Sequence, residues 1–182
     1  YDNVYNTEII SAAGFTVQGV LSMDGKPDGA AIRLLDSDGQ EVPGVSFTLT
    51  LVAGTESTYR YILTGVPAGE YDLVITKPGA LSYTICGIPV EGNMDLTDNA
   101  NAEISDIRMA VGDVNSDGSI DLQDVAMLTS SNTYSKSYEE AENKSADVNG
   151  DRLFDLQDLV IITSTNNYSA KPVEVHYSNL GA

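Results

Sequence analysis

Tryptophan is absent from the 182 residues, cysteine and histidine occur once each, and bases are scarce: nine Lys and Arg stand against 27 Asp and Glu, a formal net charge of −18. Each shortage excludes something. Polyanions and anionic bilayers are held by clustered Lys and Arg, so this balance argues against nucleic acid and against membrane surfaces as partners. No run of about 18 apolar residues occurs, and membrane insertion is not expected. The chain opens on Tyr1 without a basic stretch leading into an apolar core, the pattern of a sequence whose signal peptide is absent or already removed. Cys86, being alone, forms no internal disulfide; in the run Tyr83-Thr84-Ile85-Cys86 it reads as a small buried hydrophobe. The lone histidine, His176, reads as a solvated residue of a C-terminal tail. No nucleophile and base are set together, and a glycosidase needs a walled cleft with one carboxyl held protonated. The expectation is a chain with no catalytic residues. Without Trp, sugar stacking would fall to Tyr59, Tyr61, Tyr71 and Tyr83, whose strand positions mark them instead as core.

What the chain does have is a repeat. Asp113–Tyr134, DVNSDGSIDLQDVAMLTSSNTY, returns as Asp147–Tyr168, DVNGDRLFDLQDLVIITSTNNY. The unchanged positions are those a hard dication needs. Calcium takes six to eight oxygens at about 2.3–2.6 Å, and a twelve-residue loop supplies them from positions 1, 3, 5, 7 (a backbone carbonyl), 9 and 12. In the first loop these are Asp113, Asn115, Asp117, Ser119, Asp121 and Asp124; in the second, Asp147, Asn149, Asp151, Leu153, Asp155 and Asp158. A single D-x-N-x-D-G stretch in an acidic chain carries little weight, but two in register repeat a ligand spacing that an unselected loop has no reason to repeat. Two calcium ions are expected. Arg152 replaces the glycine at position 6 of the second loop, where positive φ is needed, and implies a weaker or differently shaped second site.

Asp124 and Asp158 open the apolar runs Val125–Leu128 and Leu159–Ile162, which read as helices ending near Asn132 and Asn166. At about 100° per residue the outer and inner pairs of each quartet lie on opposite faces, so a small two-helix unit buries only one of them. The other face, Gln123, Ala126, Met127, Ser130 and Tyr134 with Gln157, Val160, Ile161, Ser164 and Tyr168, is left for a partner. Before the first loop Ile107, Met109 and Val111 alternate as in a strand, then Gly112 breaks it; each site is half an EF-hand, a loop with its exit helix only. Ser135–Ala146 reads as a polar spacer forming a short helix.

Upstream the pattern is all β. Phe15–Val20, Ala31–Leu35, Val45–Val52, Tyr59–Leu63, Tyr71–Ile75, Tyr83–Cys86 and Ile104–Met109 are strand candidates separated by turn signals, with Val45, Phe47, Leu49 and Leu51 on one face of the longest. Ile9-Ile10 reads as the start of an edge strand. About seven short strands at this spacing fit an immunoglobulin-like sandwich, and Gly65-Val66-Pro67-Ala68-Gly69-Glu70-Tyr71 is similar to a turn of carboxypeptidase-regulatory-like and X-module sandwiches. The expected organisation is a β-sandwich over 1–110, a calcium-loop helical module over 111–170 and a tail over 171–182, whose Val173/Val175 alternation allows an extended segment lying on the sandwich. No Pro/Gly/Ser linker separates the first two parts.

Duplicated loop-helix segments ending in D-x-x-D across Gly112–Tyr168 resemble a dockerin. Directly behind a sandwich carrying GVPAGEYDLVITKP (Gly65–Pro78), the chain is similar to an X-module–dockerin dyad of the type II kind. The resemblance implies a calcium-dependent protein–protein module that binds a cohesin 1:1, anchors a cellulosome or amylosome component at the bacterial cell surface, and carries an X module that stabilises the dockerin and can touch the cohesin. The near-twofold repeat allows two binding orientations, whereas type II complexes tend to use both helices at once. A calcium-stabilised carbohydrate-binding module is the alternative.

Overall fold

The structure, a computed structural model, describes residues 14–178; Ile9-Ile10 lies outside them. Nine short strands form first: β1 (Phe15–Met23), β2 (Ala31–Leu35), β3 (Ser46–Leu51), β4 (Thr58–Val66), β5 (Gly69–Thr76), β6 (Gly79–Ala80), β7 (Tyr83–Val90), β8 (Met94–Asp95) and, after one helical turn α1 (Ala102–Ser105), β9 (Ile107–Met109). There follow β10 (Val111–Asp113), α2 (Leu122–Leu128), α3 (Leu156–Ile162) and β11 (Val173–His176).

Period-2 alternation places most of these strands in two sheets, while β6 and β10 form a two-stranded third. Of the first two, one runs β3-β4-β1, with β8 and β9 both pairing parallel to β1; the other runs β11-β7-β5-β2. Val17 and Leu21 of β1 and Tyr61 and Leu63 of β4 share a buried core with Leu73 and Ile75 of β5 and Ile85 and Ile88 of β7. Tyr59, Tyr61, Tyr71 and Tyr83 are all buried. Gly19 makes room for one of them, since a Cβ there would collide with the Tyr61 hydroxyl.

Several elements differ from their sequence reading. The segment read as a strand from Ile104 begins with α1, because Asn101 caps a turn by accepting the Glu103 N–H at 3.0 Å, and only Ile107–Met109 is extended. The strand at Val45–Val52 shrinks to β3 at a sheet edge; Phe47 and Leu51, opposite the buried Leu63 and Tyr59 of β4, are exposed because among the described residues β4 is the only strand that β3 pairs with. Cys86 is half-buried rather than in the core, because Ile85 takes the inward position of β7. The helices of the two repeats stop at Leu128 and Ile162, short of Asn132 and Asn166. Thr129 and Thr163 turn back, their hydroxyls donating to the Val125 and Leu159 carbonyls at 2.7 Å, and the chain continues in turns to the left-handed Ser135 and Ser169. The spacer holds turns and a 3-10 segment, Lys144–Ala146, in place of an α-helix. The Val173/Val175 alternation becomes β11, which adds parallel to β7 with Val175 buried and His176 exposed.

No linker separates the sandwich from the first loop. β10 pairs antiparallel with β6, setting Asp113 opposite Gly79, and the Leu81 N–H donates to the Ala110 carbonyl at 2.9 Å. Gly112 (φ +126) lies where a Cβ would press on Ile162 and Ile120.

Candidate functional site

The two loops are built alike, save one further bond in the second. In the first, Asp113 accepts the N–H groups of Asp117 and Gly118 at 3.0 and 3.1 Å, and Asn115 accepts Asp117 N–H at 3.0 Å. In the second, Asp147 accepts from Gly150, Asp151 and Arg152 at 2.9–3.1 Å, and Asn149 accepts Asp151 N–H at 2.9 Å. Such side-chain-to-backbone bonds tie the expected ligand positions to one another within each loop. Asp124 and Asp158, both fully buried, tie each loop to its helix: they accept from Val114, Asn115 and Asp121, and from Val148, Asn149 and Asp155. Asp121 and Asp155 cap α2 and α3 by accepting the Gln123 and Gln157 N–H groups at 2.7 Å, completing a capping box in each repeat. Ser119 and Leu153 stand at position 7, with Leu153 exposed.

Each loop carries four aspartates, and the only ion pairs among the described residues are Arg60–Asp95 and Arg108–Asp24, both elsewhere. Desolvation raises the Asp113 carboxyl, opposed by its backbone hydrogen bonds and reinforced by the charges of Asp124 and Asp117; desolvation, with Asp147 adding to it, pushes Asp158 up to about 6. Buried anions without a counter-cation, with oxygens and no thiolate or imidazole among the ligand positions, are the donor set a hard dication fits. Asp113, Asn115, Asp117, Ser119, Asp121 and Asp124, and their counterparts in the second repeat, are the residues that would hold it.

Left-handed backbone occurs at positions 4 and 6 of both loops. The first has Ser116 (φ 60) and Gly118 (φ 80), the second Gly150 (φ 75) and Arg152 (φ 68). Each loop thus has one glycine for two demanding positions, at opposite places. Arg152 lies over the Tyr138 ring, 5.5 Å from its centroid, and Lys144 at 5.3 Å.

The repeats also interlock. Ser135 N–H donates to the Phe154 carbonyl at 2.9 Å and Ser169 N–H to the Ile120 carbonyl at 2.8 Å, equivalent bonds exchanged between the loops. Outward from this core, Leu122, Leu156 and Val160 are 70%, 61% and 60% exposed, with Gln123, Ala126, Gln157, Tyr134 and Tyr168 also at the surface. Met127, Ile161, Ser130 and Ser164, which the periodicity placed on the same face, are half-buried; the Ser130 hydroxyl turns inward to Thr133 at 3.2 Å, and the Ser164 hydroxyl is buried. The exposed stripe is therefore turned toward Leu122 and Leu156. Leu122 and Leu156 lie outside the face that the periodicity gave, although their place signalled them: a residue in the first turn after the N-cap has no preceding turn to pack on.

The sandwich grips the second loop. Lys26 donates its N–H to the Asn149 carbonyl at 3.2 Å and its ammonium to the Gly150 carbonyl at 2.9 Å. The fully buried Asn167 accepts the Val111 N–H at 3.2 Å and donates to the Asp24 carboxylate at 3.0 Å and the Ile161 carbonyl at 2.9 Å. Burial lowers the Lys77 ammonium, an effect that Asp147 and Asp28 oppose. Sequence reasoning found neither Lys26 nor Asn167, since their partners are remote in the chain. Lys171 reaches the first loop, its ammonium 2.6 Å from the Ser119 hydroxyl.

No curated protein matches the chain. Among the solved structures that do are two crystal structures of type II cohesin–X-dockerin complexes from Acetivibrio cellulolyticus, one an N-terminal and the other a C-terminal interface mutant. In each, the match is 23% identical, covers 87% of this chain and 97% of the matched chain, and has a TM-score of 0.52. The dockerin type I domain family matches residues 111–165, the span from β10 through both calcium-type loops and both helices. That segment is a dockerin, and the chain as a whole has the fold of an X-module–dockerin dyad.

Proposed function

We propose that this chain is a docking unit in which the dockerin binds a cohesin 1:1 through the outward face of α2 and α3. The carrying observation is the apolar stripe of Leu122, Leu156 and Val160, exposed on helices whose opposite side is already filled by Leu128 and Ile162. The matched structures are complexes of a type II cohesin with an X-dockerin, which supports a type II-like cohesin here over the carbohydrate-binding alternative. Two calcium ions, one per loop, hold the helices in place. The sandwich, immunoglobulin-like and of the carboxypeptidase-regulatory kind, occupies 1–110 as an X module that stabilises the dockerin over 111–170, with 171–182 as the tail. The chain works outside the cell, attached at the bacterial surface as part of a cellulosome-type assembly, and catalysis belongs to other components.

The repeats are not chemically equal on their outer side: Ala126 and Ser119 of the first correspond to Val160 and Leu153 of the second. This inequality favours one orientation that engages both helices. The test is calcium-dependent binding to a panel of immobilised cohesins, with Leu122→Arg, Val160→Arg and the double variant. Loss of roughly tenfold or more in each single variant is expected, as for anchor residues of an interface. Loss only in the double variant would mean two interchangeable orientations. Unchanged binding throughout removes this face from the interface.

A further inference from the structure

On the outer face of the second sheet, far in sequence from both loops, Cys86, Glu174 and His176 bring a thiol, a carboxylate and an imidazole together, their ligand atoms all within 4.8 Å of one another. Strand pairing sets this up. β11 runs parallel to β7 with His176 directly across from Cys86, and Glu174, two residues earlier, projects to the same side. Val175 and Ile85, between them, point the other way and are buried, so the trio is fixed by the same register that fills the core. Asp72 on the neighbouring β5 adds negative charge beside the thiol while its carboxylate accepts the Gly87 N–H at 2.9 Å.

We infer that Cys86, Glu174 and His176 form a site for a borderline-soft divalent transition metal, zinc in particular, which clips β11 onto the sandwich. Zinc takes Cys, His and carboxylate ligands at about 2.0–2.3 Å in a tetrahedron, which sets ligand atoms roughly 3.3–3.8 Å apart. A rotation of the exposed Glu174 and His176 side chains closes that difference, and solvent fills the fourth position. The chain then sorts metals by ligand chemistry: the loops offer oxygens for a hard ion, this site sulfur and nitrogen for a softer one. Mechanically, the ion joins the chain's C-terminal strand to β7 with no disulfide available to do so.

Cobalt(II) is the probe, because only a thiolate ligand gives it a near-ultraviolet charge-transfer band, and saturating calcium keeps the loops from competing. The whole reduced protein should bind one cobalt with that band, and zinc should bleach it. Cys86→Ser should abolish the band with circular dichroism and calcium binding unchanged, and His176→Ala should weaken cobalt binding by about tenfold or more. Zinc should raise the melting temperature of the unaltered protein and not of Cys86→Ser. Absence of the band in the unaltered protein, or a His176→Ala titration that overlays it, overturns the site.

Discussion

Arg152 is where the sequence and its backbone disagree. It holds φ 68 at a position that Gly118 fills in the other loop, a conformation that costs a non-glycine residue about 1 kcal/mol or more. Part of that is returned by its guanidinium over Tyr138, a contact worth about 0.5–1 kcal/mol at an exposed site. Arg152→Gly should therefore raise stability by no more than about 1 kcal/mol, read as a small upward shift of the denaturant midpoint, and should tighten calcium at the second loop relative to the first. An unchanged or lowered midpoint would mean that the ring contact outweighs the backbone strain. The proposed ligand positions can be named from the sequence because a twelve-residue loop keeps its donors adjacent in the chain. Asn167 was not: its partners Asp24 and Val111 lie 143 and 56 residues away, and nothing in its neighbourhood distinguishes it from Asn166. Asn167→Ala would leave the buried Val111 N–H without its acceptor, a loss of about 1–3 kcal/mol to be measured by urea unfolding.

At the scale of elements, α2 and α3 are seven residues each, well below the dozen or so that an isolated helix needs in water. Their caps are Asp121 and Asp155, and the residues closing the capping boxes are Asp124 and Asp158, all four of them proposed ligand positions. Removing calcium should thus act on the helices directly: chelator is expected to cut the helical circular dichroism signal while leaving the β signal, and calcium should restore it. Identical spectra and melting with and without chelator would sink this coupling. The strands depend on a different term. Burial, with the charge of Glu103, pushes the Tyr83 hydroxyl up to about 12, and burial with Asp95 pushes Tyr61 up as well. Both native values lie above the unfolded one near 10, so this contribution is complete below about pH 10 and is lost as pH rises through about 12. Tyrosinate absorbance of these two residues should appear only with loss of the β signal. Periodicity located most strands, yet mistook α1 and β3, because alternation reports which side is apolar and not whether a second layer covers it. The exposed Phe47 and Leu51 follow from β3 lying at the edge, a fact of sheet order rather than of local pattern.

In the whole molecule the sandwich meets the second loop at a narrow approach at Gly25. Its φ is +92, and a Cβ there would run into the Val148 carbonyl oxygen and the Asn149 Cα, the backbone that Lys26 grips. Asp24, one residue earlier, holds both Arg108 at 2.8 Å and Asn167 at 3.0 Å, so a displacement at Gly25 pulls on the contacts that fix Val111 and the first loop as well. Gly39 offers a matched control, with φ +73 and open space where its Cβ would go. Gly39→Ala bears only the backbone cost of about 1 kcal/mol and should lower a single thermal transition slightly. Gly25→Ala bears the same cost plus the collision. It should split melting in calcium into two transitions, the dockerin first, and speed calcium release from the second loop more than from the first. If the two variants melt alike, the sandwich does not brace the dockerin through this approach, and the contacts around Lys26 are incidental to stability.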